Sequence, residues 1–472
     1  MKNTTSRPFG IRDKLGYLFG DFGNDFTFIL STSILMKFYT DVMGLSSALV
    51  GLVMMLARFV DAVTDVTMGR IADHSRPTAA GKFKPWILKM CVPVAASSFL
   101  MYQSGLSNAP YGFRLVYFIV TYLLWGSFCY TGINIPYGSM ASAISADPAD
   151  RQSLSTYRTM GGTLAGLVIG VGLPVFAYDK VPLADGTVKE TLIGSRVTVI
   201  AGIFSILAIV CYLLCYFLTT ERIKYRHEEK QKMSVRQMLL SAVKNRALIS
   251  IIAASVLMLL AQLTMQNMSA YLFPDYYNNA TAQGESSVLM VLGMLLAGAT
   301  AKPLAAKFGK AEVSVAANLF AAGVCVVTFF LRPANVWVYC GLQTLNWIGL
   351  GIFSMVSWAL INDVIDYAEL KNGVREDGSV YALYSFARKL GQAAASGLSG
   401  LLLQVIGYNN NAITEGVAQT QSVKDGIFNI STLVPAVGFA ALALVLWFWY
   451  PLHKKQVDAN VAELKKKREE NG

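Results

Sequence analysis

Apolar residues in this chain form long runs, not the strict alternation of a half-buried strand or the narrow stripe of a soluble helix. Crossing a hydrocarbon core takes about 20 residues of helix. Windows of that length give twelve segments, near 14–39, 45–72, 85–104, 112–139, 156–178, 195–219, 247–273, 286–306, 313–332, 336–362, 379–406 and 427–450. The pattern predicts an all-α membrane protein with twelve transmembrane helices, both chain ends lying on one side. A basic link from Glu221 to Arg246 splits the segments six and six. The expected organisation is an N-terminal six-helix half (1–219), a middle loop (220–246), a C-terminal six-helix half (247–450) and a tail (451–472).

Composition agrees: 54% of residues are hydrophobic and 15% charged, against about 25% charged in soluble domains. The net charge of +11 sits in short links and in the tail. Links at 73–84, 220–246 and 307–312 hold Arg76, Lys82, Arg222, Arg236, Lys307 and others, whereas those at 40–44 and 274–285 have no Lys or Arg. The positive-inside rule therefore puts both termini in the cytoplasm and argues against nucleic acid as partner. Met1–Lys14 is polar and basic with no cleavage site after it, so the first span is expected to do the targeting. All six cysteines fall in apolar segments without metal-ligand spacing, and the three histidines fall in links or the tail. An intramembrane histidine proton relay is thus not expected. No P-loop, G-x-S-x-G elbow or H-E-x-x-H occurs, and no enzyme or cofactor is expected.

The informative residues are charges where lipid should be. The second segment carries Arg58, Asp61 and Asp65, spaced three and four apart and so on one helical face. Each would cost roughly 2.5–3.5 kcal/mol at the centre of a lipid-facing helix, so the face must look onto protein or water. Paired carboxylates there suit a small hard cation or a proton; the alternative is a structural ion pair with Arg58. Arg388 and Lys389 lie inside the eleventh segment and must meet anions, either Asp363 and Asp366 or an acidic ligand. Trp358, Trp125 and Trp347 are read first as packing. GRIADHSRPTAAGKFKP after segment two echoes AKPLAAKFGK after segment eight, a faint repeat of the kind that relates parallel halves.

In order along the chain, KLGYLFGDFGNDF (14–26), FYTDVMGL (38–45), RFVDAVTD (58–65), GKFKPWIL (81–88), INIPYGSM (133–140), SLSTYRTMGG (153–162), INDVIDYAEL (361–370) and YSFARKLGQA (384–393) resemble the glycoside–pentoside–hexuronide:cation symporters. This is the melibiose permease family of the major facilitator superfamily, and the likeness covers nearly the whole chain. NIPYGS and the DYAEL and RKLGQA phrases are similar to its glucuronide-transporting branch. The resemblance implies the major facilitator fold, a bacterial cytoplasmic membrane, and symport of a sugar with a proton or sodium ion by a protein functional as a monomer. It implies a cation site at Asp61, Asp65 and Thr131, with Thr64 where the sodium-using permease has an asparagine. The shorter hydroxyl puts sodium in doubt and favours a proton, which needs only one protonatable carboxylate. It implies substrate contacts from Asp25, Asn24, Asp21, Arg158, Lys389 and Trp358. Asn134 stands where the permease has an aspartate, Tyr137 replaces part of an aromatic pair, and Arg388 resembles the uronide branch. These changes make the cavity more positive, so an acidic sugar such as a glucuronide is the first expectation. A sodium-coupled neutral glycoside or pentoside, or a lysolipid on the same fold, is the alternative, and a non-transporting sensor is a further class. Asp363, Asp366, Glu369 and Arg375 correspond to the family's cytoplasmic gate.

Overall fold

The computed structural model describes residues 7–183, 186–223, 245–372 and 377–470. Most of the basic middle loop, and Arg375, lie outside these described residues. The helices follow the predicted order: α1 (Ile11–Lys37), α2 (Ser47–His74), α3 (Lys84–Leu100), α4 (Tyr111–Ile144), α5 (Pro148–Ala177), α6 (Gly194–Leu218), α7 (Arg246–Tyr271), α8 (Thr281–Phe308), α9 (Lys310–Leu331), α10 (Val336–Asn372), α11 (Asp377–Val405) and α12 (Gln421–Leu444). A thirteenth, α13 (Lys454–Glu470), forms the tail. Among the described residues nine helices are long and apolar enough to cross a membrane. Of the other three predicted spans, α3 has 17 residues, and α1 and α11 are interrupted by charged, polar and small residues.

Local signals explain boundaries that the apolar runs miss. Asp147 accepts the N–H of Ala149 at 2.8 Å and Pro148 opens α5, the capping arrangement that suits a helix start. The link between α5 and α6 contains two strands, β1 (Tyr178–Pro182) and β2 (Val188–Leu192), paired antiparallel with Lys180 opposite Glu190. π-helical turns end α1 (Phe38–Val42) and follow α7 (Leu272–Tyr276), and a longer one (Leu124–Tyr130) interrupts α4.

The chain forms two compact units. The first comprises residues 1–229 together with Phe273–Ser287 and Gly400–Val423. Here α1 lies against α5 and α6, and glycines allow the approach. A Cβ on Gly16 would stand 2.8 Å from Leu218, on Gly23 3.2 Å from Cys211, and on Gly161 2.4 Å from the Leu18 carbonyl. Such small-residue seams let membrane helices pack closely. Glu221, just after α6, accepts the backbone N–H groups of Lys82, Phe83 and Lys84 at 2.7, 2.9 and 2.7 Å. It thereby satisfies the free donors at the start of α3. Gly81 has φ +124°, and a Cβ there would meet the Glu221 carboxylate at 2.5 Å. Buried Asp13 likewise ties Arg222 (2.8 Å) and Arg7 (3.1 Å).

The second unit comprises 230–272, 288–399 and 424–472. Its core runs through Ala254, Met258, Ala321, Phe353, Leu360, Tyr384 and Phe439, all buried. Gly309 (φ +104°) precedes α9 as Gly81 precedes α3, and Glu312 accepts the Lys454 N–H at 2.8 Å beside it. The sequence echo thus marks two turns with the same backbone need and a carboxylate alongside. The tail helix α13 buries Asn460 and Leu464, and Val457 packs on the core. In each unit the outer helix faces expose large apolar side chains, Val63, Phe128, Phe176 and Phe217 in the first, Leu295, Phe330 and Val437 in the second. Exposed apolar area on that scale belongs in lipid.

Candidate functional site

Asp61 and Asp65 lie one turn apart on α2, facing Ser127 and Thr131, one turn apart on α4. Ser127 donates its hydroxyl to Asp61 Oδ1 at 2.6 Å and Thr131 donates to Asp65 Oδ1 at 2.7 Å. The two helices are therefore joined by a ladder of charge-assisted hydrogen bonds, each worth about 1.5–3 kcal/mol. Arg58 donates to Asp61 Oδ2 at 3.2 Å and lies 5.6 Å over the Phe28 ring. Gly126 sits in the π-helical turn, and a Cβ there would stand 3.6 Å from Asp61. The site offers two carboxylates and two hydroxyl oxygens from neighbouring helices, a donor set for a small hard cation or a proton. Among the described residues no group of three His, Cys, Asp or Glu side chains could hold a metal ion. Thr64 points elsewhere: its hydroxyl bonds the carbonyls of Val60 and Asp61 in its own helix at 3.1 Å. Ser127 escapes a reading of charged positions, although its spacing of four from Thr131 is a signal for a shared face.

A second cluster is built on α1, α4 and α5. Arg158 donates from Nε to Asp21 Oδ1 at 2.9 Å, its side chain still 40% exposed. Its guanidinium lies 5.3 Å over the Tyr137 ring. Asp25, one turn after Asp21, is half-buried and has no hydrogen bond to a described residue. Both carboxylates converge on Gly162 of α5, where a Cβ would be 2.5 Å from Asp25 Oδ2 and 3.2 Å from Asp21 Oδ2. Asn134 is half-buried one turn before Gly138, where a Cβ would lie 3.8 Å from Arg158. It therefore shares the α4 face that receives Arg158.

Two residues assigned to this cluster from the resemblance turn inward. Asn24 is 1% exposed and its amide oxygen accepts from Tyr212 at 2.8 Å, bracing α1 on α6. Tyr137 is 1% exposed, stacked on Tyr17 with centroids 4.6 Å apart, and its hydroxyl donates to the Tyr17 carbonyl at 2.6 Å. Gly20 makes room for it: a Cβ there would be 2.2 Å from the ring. Tyr137 with Tyr17, which the sequence reading missed, forms a platform under Arg158.

In the second unit Arg388 is half-buried on α11. It lies 5.9 Å over both Trp358 and Tyr384, whose rings meet edge to face. Trp358 is 44% exposed. Asp363 does not neutralise Arg388; it accepts from Lys310 at the start of α9. Lys389, Asp366 and Glu369 are half-buried on the same two helices.

Nine described helices long and apolar enough to cross a membrane, apolar outer surfaces, and acid–hydroxyl and acid–guanidinium clusters between helices define a membrane transporter of the major facilitator fold. Residues 16–454 match the family described as MFS/sugar transport protein, and the chain belongs to that family. It is similar to the uncharacterized symporter YjmB of Bacillus subtilis (strain 168), 29% identical with 98% of this chain and 97% of that one covered. It is similar also to the glucuronide carrier protein homolog of Escherichia coli (strain K12), 30% identical over 96% and 95%. Among solved structures, a bacterial homologue of the human lysosomal transporter Spinster superposes with TM-score 0.66 at 12% identity, covering 96% and 99%. The protein is a membrane sugar transporter of this family and not an enzyme.

Proposed function

We propose that the protein symports an acidic sugar, of the glucuronide or hexuronide class, with a proton. The observation that carries the substrate reading is Arg388: a half-buried guanidinium in the middle of a span, resting on aromatic faces, with no acidic partner among the described residues. Such a cation fits a sugar carboxylate or sulfonate, which it can clamp through two nitrogens. The likeness to the glucuronide carrier homolog supports the same class. Asp25, with Asp21 and Arg158 beside it, would take sugar hydroxyls, and Asn134 would add an amide. Cation binding is assigned to Asp61, Asp65, Ser127 and Thr131. Thr64, turned to its own backbone, leaves sodium one ligand poorer and favours the proton. The six-helix halves, 1–219 and 247–450, would rock about these sites in a monomer with both termini cytoplasmic. Asp363, Asp366 and Glu369 would serve as the cytoplasmic gate.

Uptake of a radiolabelled glucuronide and its neutral glucoside into proteoliposomes, with a proton or a sodium gradient imposed, tests the reading. Proton-driven glucuronide uptake is expected. Sodium-driven glucoside uptake would overturn both substrate class and cation, and reduce Arg388 to a packing role.

A further inference from the structure

A buried polar cluster shares no residue with these sites. Lys37, Asp41, Lys189, Asp275 and Tyr408 meet inside the first unit, where α1 ends, and none is more than 8% exposed. Lys37 Nζ lies 2.8 Å from Asp41 Oδ2 and 2.8 Å from Asp275 Oδ2, and Lys189 Nζ 2.7 Å from Asp275 Oδ1. The Tyr408 phenol lies 2.9 Å from Asp41 and 3.1 Å from Asp275, so its one proton is shared between the carboxylates. Asp41 and Asp275 are each the fourth residue of a five-residue π-helical turn, one closing α1 and one closing α7. The second half of the chain thus presents its carboxylate in the same local frame as the first. The charges balance, two against two.

The cluster fastens borrowed pieces. Asp275 and Tyr408 come from Phe273–Ser287 and Gly400–Val423, which hold most of the π-helical turn after α7, the start of α8, the end of α11 and the start of α12; α7 and the remaining lengths of the other three helices belong to the second unit. The same pieces are held by small-residue contacts and weaker hydrogen bonds. A Cβ on Gly400 would stand 2.3 Å from the Ser47 carbonyl and on Gly170 2.8 Å from Ser287. Ser46 donates to Gln404 at 3.0 Å.

We propose that this network is a reversible latch. It holds Phe273–Ser287 and Gly400–Val423 on the first unit in one half of the transport cycle, and hydrates and parts in the other. Alternating access requires some such end to open. An apolar seal would expose hydrocarbon to water at every opening. Here the four charges regain hydration, which offsets the loss of their partners and keeps the two states close in free energy. A half-opened latch would strand a dry, unpaired charge, so parting is all-or-none.

The test uses full-length protein in proteoliposomes carrying Ser46→Cys and Gln404→Cys; the six native cysteines are buried. Oxidation should stop transport and reductant restore it. Asp275→Asn in that background should slow cross-linking several-fold, and the milder Tyr408→Phe should act in the same direction. Unimpaired transport by cross-linked protein would show that these ends do not part. An unchanged cross-linking rate in both variants would show that the network does not hold them. Should Asp275→Asn fail to fold, Tyr408→Phe and the disulfide in the otherwise native protein still decide.

Discussion

Ser127 Oγ stands 2.6 Å from Asp61 Oδ1, buried, on the rung below the Thr131–Asp65 bond. Its loss would leave that carboxylate oxygen without a donor in a dry site, a cost of about 1–3 kcal/mol. Ser127→Ala should therefore weaken the coupling ion's apparent affinity roughly 5- to 150-fold, with little change in sugar binding at saturating ion. Sugar uptake titrated against ion concentration gives the answer; an unshifted curve would remove Ser127 from the site.

Asp65→Asn keeps the shape and an acceptor for Thr131 but removes the charge. Uphill, cation-driven accumulation should be lost while sugar counterflow survives, because counterflow needs binding and rocking but no net ion movement. A mutant that still concentrates sugar would falsify the assignment of Asp65 to coupling.

Arg388→Ala removes the cation above Trp358 and Tyr384. A charge-assisted bond is worth about 1.5–3 kcal/mol, so apparent affinity for a glucuronide should fall roughly 10- to 150-fold, and for the matching neutral glucoside hardly at all. Equal losses for the two would point to lost packing instead.

At Gly162 a methyl group would compete with Asp25 Oδ2, 2.5 Å from the built Cβ position. Gly162→Ala should raise KM for every sugar tested while leaving expression and thermal stability near native. Native KM values would place Asp25 outside the substrate path.

Glu221→Ala strips the carboxylate from three N–H groups at the start of α3. A loss of about 2–3 kcal/mol of stability is expected, seen as a lower midpoint in a thermal-unfolding assay in detergent, with substrate KM unchanged.

The spans were legible because a membrane demands about 20 apolar residues in a row, whatever packs beside them. Their ends were not. α10 continues to Asn372, past the expected end at 362, because Asp363, Asp366 and Glu369 look like a solvated link until the rest of the unit surrounds them. Residue type and spacing exposed Asp61, Asp65 and Asp25 as anomalies, but not which way neighbouring groups turn. Asn24 and Tyr137 carry suitable chemistry yet spend it on Tyr212 and Tyr17. Lys37, Asp41, Lys189 and Asp275 sit at segment ends where charges are ordinary, and their burial depends on partners up to 371 residues away.

The borrowed segments of the first unit also set a timetable for synthesis. Lys37 and Asp41 leave the ribosome 371 and 367 residues before Tyr408. At about 5–20 residues per second, they wait roughly 20–70 s for it. During that interval the i,i+4 pairing of Lys37 with Asp41 gives the nascent segment a self-neutralised end. Assembly of the amino-terminal half is therefore finished only when almost the whole chain has been made, and truncated products cannot complete it.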